Sequence, residues 1–188
     1  VISYSPETLD KNKGEWQTNI GNFMTDACME LANPVFLNQQ NKQIDIILLN
    51  NGGIRSIIPK GNITKRNAFE VMPFENSLIV IALKGEQIKA LAQHIITEKK
   101  PHPLNGLKII LNKENVIATI LFKEKPIDNN KIYYVGTSDY LANGGDNMTF
   151  FLKNEGTFDL NYKIRNVLID YFQKHKTIEA SNSPRIIK

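Results

Sequence analysis

Asn50-Asn51-Gly52-Gly53-Ile54-Arg55 is the stretch of this chain whose residue types and spacing are best suited to chemistry. Two adjacent glycines let the backbone reach φ > 0 and leave no Cβ in the way, so main-chain N–H groups can lie against a ligand. Arg55 adds a guanidinium fork suited to phosphate, carboxylate or hydroxyl acceptors. It is one of only four arginines, with Arg66, Arg165 and Arg185, so its place in a glycine loop carries weight. A Gly-Gly pair after a strand is also an ordinary turn, and the loop alone does not decide between the two.

Two further stretches offer chemistry. In Pro73-Phe74-Glu75-Asn76, Phe74 follows a proline and lies off any periodic apolar face; in Tyr140-Leu141-Ala142-Asn143-Gly144-Gly145-Asp146, Tyr140 precedes a second Gly-Gly turn. Two aromatics facing across a cleft can clamp a base by stacking, at about 1–3 kcal/mol per base and with little demand on base identity. Both rings could equally pack beneath their own loops, and spacing leaves the two readings open. Asp146 is able to accept from a pair of ribose hydroxyls, or to bond its own backbone as a turn aspartate. Asn76 and Gly106 have turn readings of the same kind.

These motifs hang on recognisable elements. Ile44 to Leu49 is aliphatic and reads as a buried strand. Upstream, Ile20, Phe23, Met24, Ala27 and Leu31 recur at helical spacing, with Thr18 or Asn19 as cap and Asn33-Pro34 as the expected end. A short helix capped by Thr64 runs to Val71, a strand covers Ser77 to Leu83, and a helix after Lys84-Gly85 carries Ile88, Leu91, Ala92 and Ile95 on one face. Leu107–Leu111, Val116–Phe122 and Lys131–Val135 are strand candidates. A last helix places Ile164, Val167, Leu168 and Tyr171 on one stripe, and Pro184-Arg185-Ile186-Ile187 reads as a docking edge strand.

Taken in order, NNGGIR, PFEN and DYLANGGD resemble the C-terminal domain of the 5'-nucleotidase and UDP-sugar hydrolase family, from about Trp16 to Phe150. The resemblance implies a substrate-binding domain with the base stacked between Phe74 and Tyr140 and the ribose on Asp146. Asn50, Arg55, Asn76 and the Gly106 backbone would complete the pocket. The family more often has phenylalanine at the second stacking position, and tyrosine keeps the face while adding a hydroxyl. The family also carries a substrate-contacting arginine three residues before the position of Gln17, where this chain has Gly14; Lys11 or Lys13 is expected to reach that space.

Phosphoester hydrolysis in the family resembles two-metal catalysis on a preceding N-terminal domain with Asp-x-His and Gly-Asn-His-Asp motifs. Neither motif occurs here, so the two divalent metals belong to a separate domain or subunit, a metallophosphoesterase partner. None of His94, His102 and His175 is assigned a His or carboxylate partner at metal-ligand spacing, and no catalytic residue or metal ligand is assigned to this chain. The domain motion typical of the family is implied only with that partner. A stand-alone nucleoside-binding module, or an interaction domain that has lost its ligand, are the other readings.

The 188 residues, 41% hydrophobic and 22% charged, suit a single α+β domain over 1–188, with a mixed or largely antiparallel sheet, packed helices and a C-terminal helix and tail over 160–188. The net charge of +4 is spread over scattered lysines without interleaved aromatics, so nucleic acid is not the expected partner. Single Cys28 excludes an internal disulfide and reads as a buried hydrophobe. No apolar run approaches a membrane span. Val1 is not a methionine and no signal peptide precedes it, so the chain reads as a trimmed or processed form. The resemblance implies a periplasmic, cell-surface or secreted protein.

Overall fold

The computed structural model describes residues 1–188. In chain order the elements are β1 (Ser3–Ser5), α1 (Asn19–Gln40), β2 (Ile46–Leu48), β3 (Gly61–Ile63), α2 (Lys65–Val71), β4 (Ser77–Lys84), α3 (Gly85–Glu98), β5 (Leu104–Asn105) and β6 (Lys108–Leu111). There follow β7 (Ile117–Phe122), β8 (Lys125–Pro126), β9 (Ile132–Ser138), α4 (Asp139–Ala142), β10 (Thr157–Lys163), α5 (Ile164–Lys174) and β11 (Ile186–Ile187).

A five-stranded mixed sheet in the order β10-β4-β9-β2-β5 forms the centre. Its inner strands β4, β9 and β2 are largely buried on both sides because both faces are covered. Ile47, Leu78 and Val80 join the core under α1, α2 and α5, while Ile46, Leu48, Ile81 and Leu83 join the core under α3 and a smaller sheet, β11-β6-β7-β8. Alternation of period two sends neighbouring residues of one strand into different cores. The fold is the single-domain α+β arrangement expected.

Strand direction decides where the motif loops meet. β2 and β9 are parallel neighbours, with Ile46 opposite Val135, so the loops leaving their C-terminal ends emerge on one side. β4 runs antiparallel to β9, with Leu78 opposite Ser138, which brings the start of β4 to that same side. The residues following β2, preceding β4 and following β9 are the three motif loops.

Besides the short strands β1, β3, β5 and β8, which were not expected, two features depart from the expected elements. α1 does not stop at Asn33-Pro34 but runs through Pro34 to Gln40 and ends on Asn41, held left-handed at φ 55°. An interior proline costs about 3 kcal/mol. That cost is offset by the turn beyond it, which buries Phe36 completely against Tyr134 and Phe158, and by Asn33 Oδ1 accepting the Ile44 N–H at 2.8 Å. Thr18 caps the start, its hydroxyl accepting from the Gly21 N–H at 3.0 Å. The second departure is β10, which pairs antiparallel with β4 along an edge that the sequence reading left without a strand.

The tail docks as expected, β11 lying parallel to β6 with Ile186 opposite Ile109. Arg185 secures it, Nη2 donating to both Asp26 carboxylate oxygens at 2.8 and 2.9 Å and Nη1 to the Leu104 carbonyl at 2.8 Å. Cys28 is fully buried, and desolvation pushes its thiol up to about 12. No helix is long and apolar enough to cross a membrane.

Candidate functional site

The three loops enclose a cavity of about 290 Å³ lined by Asn50, Gly52, Gly53, Phe74, Asn76, Tyr140 and Asp146. That volume lies at the small end of the roughly 300–1,000 Å³ usual for small-molecule sites. Phe74 and Tyr140 are 44% and 48% exposed, so each ring keeps surface open to solvent. Large aromatics that reach solvent on the walls of one cleft are available to a ligand.

In the first loop the glycines act differently from the expectation. Neither Gly52 nor Gly53 has positive φ; Asn51–Gly53 forms a 3-10 turn. Close approach is what Gly53 supplies, since a Cβ there would stand 2.8 Å from Asn50 Oδ1. The Asn50 side chain therefore folds over the turn and donates from Nδ2 to Asp146 Oδ2 at 2.8 Å, joining the first loop to the third. Arg55 stands at the rim, its Nη1 donating to the Gly52 carbonyl at 3.3 Å and its guanidinium 6.0 Å from the Phe74 ring centre.

The second loop is gripped from β10 and α5. Arg165, 8% exposed, donates to the Met72 and Pro73 carbonyls at 3.4 and 3.3 Å, pairs with Glu75, and lies 4.3 Å from the Phe69 ring centre. Lys163 pairs with the other Glu75 oxygen. These two cations hold the Glu75 carboxyl well below its usual range, at about 2, the Lys163 hydrogen bond contributing most. The Asn76 carbonyl accepts from the Ile164 N–H at 2.9 Å. Arg165 is a site-supporting residue that the sequence reading did not find, because its partner motif lies 90 residues away.

In the third loop Ser138 caps α4 through the Leu141 N–H at 3.1 Å, and Gly144 turns the chain at φ 90°. Asp146 is itself left-handed at φ 53°. A non-glycine residue in that region costs on the order of 1 kcal/mol or more and persists where its surroundings fix it. Here the Tyr140 hydroxyl does so twice, donating to Asp146 Oδ1 at 2.9 Å and accepting the Asp146 N–H at 3.2 Å. The Tyr140 ring in turn lies on Gly145, where a Cβ would come within 2.6 Å of it. Each Asp146 oxygen thus holds one donor and keeps acceptor capacity for another.

Two further expectations need correction. Gly106 does not reach this cavity: β5 runs antiparallel to β2 with Asn105 opposite Ile47, so Gly106 falls beside Asp45 and Ile46 at the far end of β2. Its glycine is explained by φ 98° and by an Asp45 carbonyl 2.2 Å from where a Cβ would be. The second correction concerns the histidines. His94, Glu98 and His102 come together, His94 Nε2 lying 2.5 Å and His102 Nε2 3.1 Å from the two Glu98 oxygens. His94 and Glu98 are one helical turn apart, and the left-handed Lys99 at the end of α3 folds the chain so that His102 returns. That four-residue spacing was visible in the sequence and passed over.

The His94, Glu98 and His102 cluster does not fit a cation through all three residues. His102 Nδ1 accepts the Asn51 backbone N–H at 3.0 Å, so the ring proton sits on Nε2, the atom facing Glu98. A metal on Nε2 would drive that proton to Nδ1, against the Asn51 donor.

Gly14 also has a structural account. At φ 122°, a Cβ there would stand 1.9 Å from the Gln17 carbonyl oxygen, so an arginine requires a different backbone. Lys11 reaches the neighbouring space, its Nζ 3.4 Å from the Asn51 carbonyl.

Residues 2–153 match the family model described as 5'-nucleotidase, C-terminal domain. Among curated proteins the chain is 28% identical over 188 residues to an apyrase of Tabanus yao, covering 89% of this chain and 34% of the relative. It is 29% identical over 170 residues to an NAD 5'-nucleotidase of Haemophilus influenzae, covering 77% of this chain and 28% of the relative. The solved structure of a 5'-nucleotidase precursor from Thermus thermophilus superposes with a TM-score of 0.84 at 27% identity, over 100% of this chain and 39% of the other. The chain therefore spans about a third of the length of the proteins it resembles.

Proposed function

Since the chain belongs to the 5'-nucleotidase C-terminal domain family, we propose that it is the nucleoside- and nucleotide-recognising part of a phosphoester hydrolase acting in nucleotide catabolism. The observation that carries this reading is the convergence of Asn50, Phe74, Asn76, Tyr140 and Asp146 from three separate loops on one cavity. In this reading the base stacks between Phe74 and Tyr140, contributing about 1–3 kcal/mol. The ribose hydroxyls donate to the remaining lone pairs of Asp146, and Asn50 and Asn76 offer amide groups to sugar or base edge. Arg55 and Lys11 stand at the rim as cations for a phosphate, in place of the arginine that Gly14 replaces. Hydrolysis belongs to a di-metal phosphoesterase domain or subunit, supplied with substrate by this one, and export of the assembly is part of the same proposal.

The test is titration calorimetry of this chain, without metal, against adenosine and AMP, repeated on Phe74→Ala and Asp146→Ala. Saturable binding weakened by both substitutions supports the site. The Gly14 backbone favours a second reading, a nucleoside-binding module with little phosphate grip, which predicts equal affinities for the two ligands. A tighter AMP complex favours the hydrolase reading. No binding by a folded chain overturns both.

A further inference from the structure

The Glu98–His102 pair lies beneath the first loop, and no ligand contact has been assigned to it. His102 is 2% exposed, and its two ring nitrogens face opposite kinds of partner. A backbone N–H can only donate, so Nδ1 must accept from Asn51, and the neutral ring then donates from Nε2 to the Glu98 carboxylate at 3.1 Å. His94 closes the other side of Glu98, its ring 6.4 Å from that of His102 and 17° from parallel.

Asn51 has few other anchors. Its side-chain Nδ2 is buried without a partner, and its carbonyl accepts only from Lys11 and from the Ile54 N–H within the same turn. The N–H bond to His102 is thus the tie from Asn51 itself to the protein interior. One residue earlier, Asn50 reaches across to Asp146. A continuous path runs from Glu98 through His102, Asn51 and Asn50 to the Asp146 carboxylate.

We propose that His102, held in its Nε2-protonated form by Glu98, is a positioning residue that sets the Asn50–Gly53 loop for ligand through the Asn51 N–H. This rests on the nucleoside-site reading above. Asparagine at position 102 can place an amide oxygen where Nδ1 now accepts, whereas glutamine carries its amide at the depth of Nε2 and leaves the Asn51 N–H unpaired. His102→Gln is therefore expected to weaken adenosine binding by about fivefold to tenfold, as for loss of one buried acceptor. His102→Asn is expected to stay within about twofold of the parent.

The experiment combines that affinity series with nitrogen NMR of the ligand-free chain and a melting curve for each variant. A bare Nδ1, a protonated Nε2, and an Asn51 amide resonance displaced in His102→Gln but not in His102→Asn support the positioning role. A ring protonated at Nδ1, or Gln and Asn variants of equal affinity and equal Asn51 shift, overturns it. Zinc that binds the cluster and shifts both histidine rings overturns it as well. If the parent chain binds no adenosine, the site reading fails, while the ligand-free spectra still decide the role of His102.

Discussion

Tyr140→Phe removes one oxygen and, with it, both hydrogen bonds that pin Asp146 in its left-handed conformation. A hydrogen bond to a charged group contributes about 1.5–3 kcal/mol when desolvated and nearer 0.5–1.5 otherwise. Tyr140 is 48% exposed, so the lower range applies, and the pair together is worth about 1 kcal/mol to the ordered site. Opposing this, the substitution frees one lone pair on Asp146 for a ribose hydroxyl. We expect ordering to win, because the freed carboxylate must otherwise be fixed by the ligand itself. Adenosine affinity should fall about fivefold. Tyr140→Ala, which also loses the stacking face, should cost a further 1–3 kcal/mol, roughly 5- to 150-fold. Calorimetry of the three proteins, with melting curves to confirm folding, measures both steps. Tyr140→Phe binding as tightly as the parent, or more tightly, would refute the reasoning and make the hydroxyl a competitor of the ribose.

Three further outcomes follow from the same geometry. Gly14→Arg, the residue that the resemblance implies at this position, should destabilise by about 2–3 kcal/mol because of the left-handed backbone and the Gln17 carbonyl. That corresponds to a melting temperature lower by roughly 5–10 °C for a chain of this size. Glu75 is depressed from 4.5 to about 2 by Lys163 and Arg165, so its contribution is present above pH 4.5 and is lost as pH falls toward 2. The melting difference between parent and Glu75→Gln should therefore shrink over that window, and a difference independent of pH would exclude the ion pairs as its source. Cys28, fully buried with its thiol pushed up to about 12, should resist alkylation in the folded chain and react once the chain is denatured. Rapid labelling of the native protein would contradict the burial.

Much of the site was legible because local chemistry marks it. Glycine pairs, a proline-bound phenylalanine and a turn aspartate stand out from the periodic apolar residues that build the core. What could not be read was their convergence, which depends on β2 and β9 being parallel and β4 antiparallel, a matter of sheet order rather than spacing. Asn50 and Tyr140 both bond Asp146, yet Asn50 is 96 residues from it in sequence, beyond any local pattern. Pro34 misled for a different reason: propensity ended α1 there, and burial of Phe36 carried it on. β10 was missed although Phe158, Leu160 and Tyr162 alternate with polar residues between Thr157 and Lys163. Gly106 was placed by resemblance alone, and the antiparallel register of β5 carries it to the other end of β2.

The central claim is that a base lies between Phe74 and Tyr140 with its ribose on Asp146. Intermolecular NOEs on this chain saturated with adenosine test it most directly. The account predicts contacts from the adenine protons to both the Phe74 and Tyr140 rings, and contacts from the ribose protons to residues around Asp146. Saturable binding with adenine contacts to neither ring would contradict it.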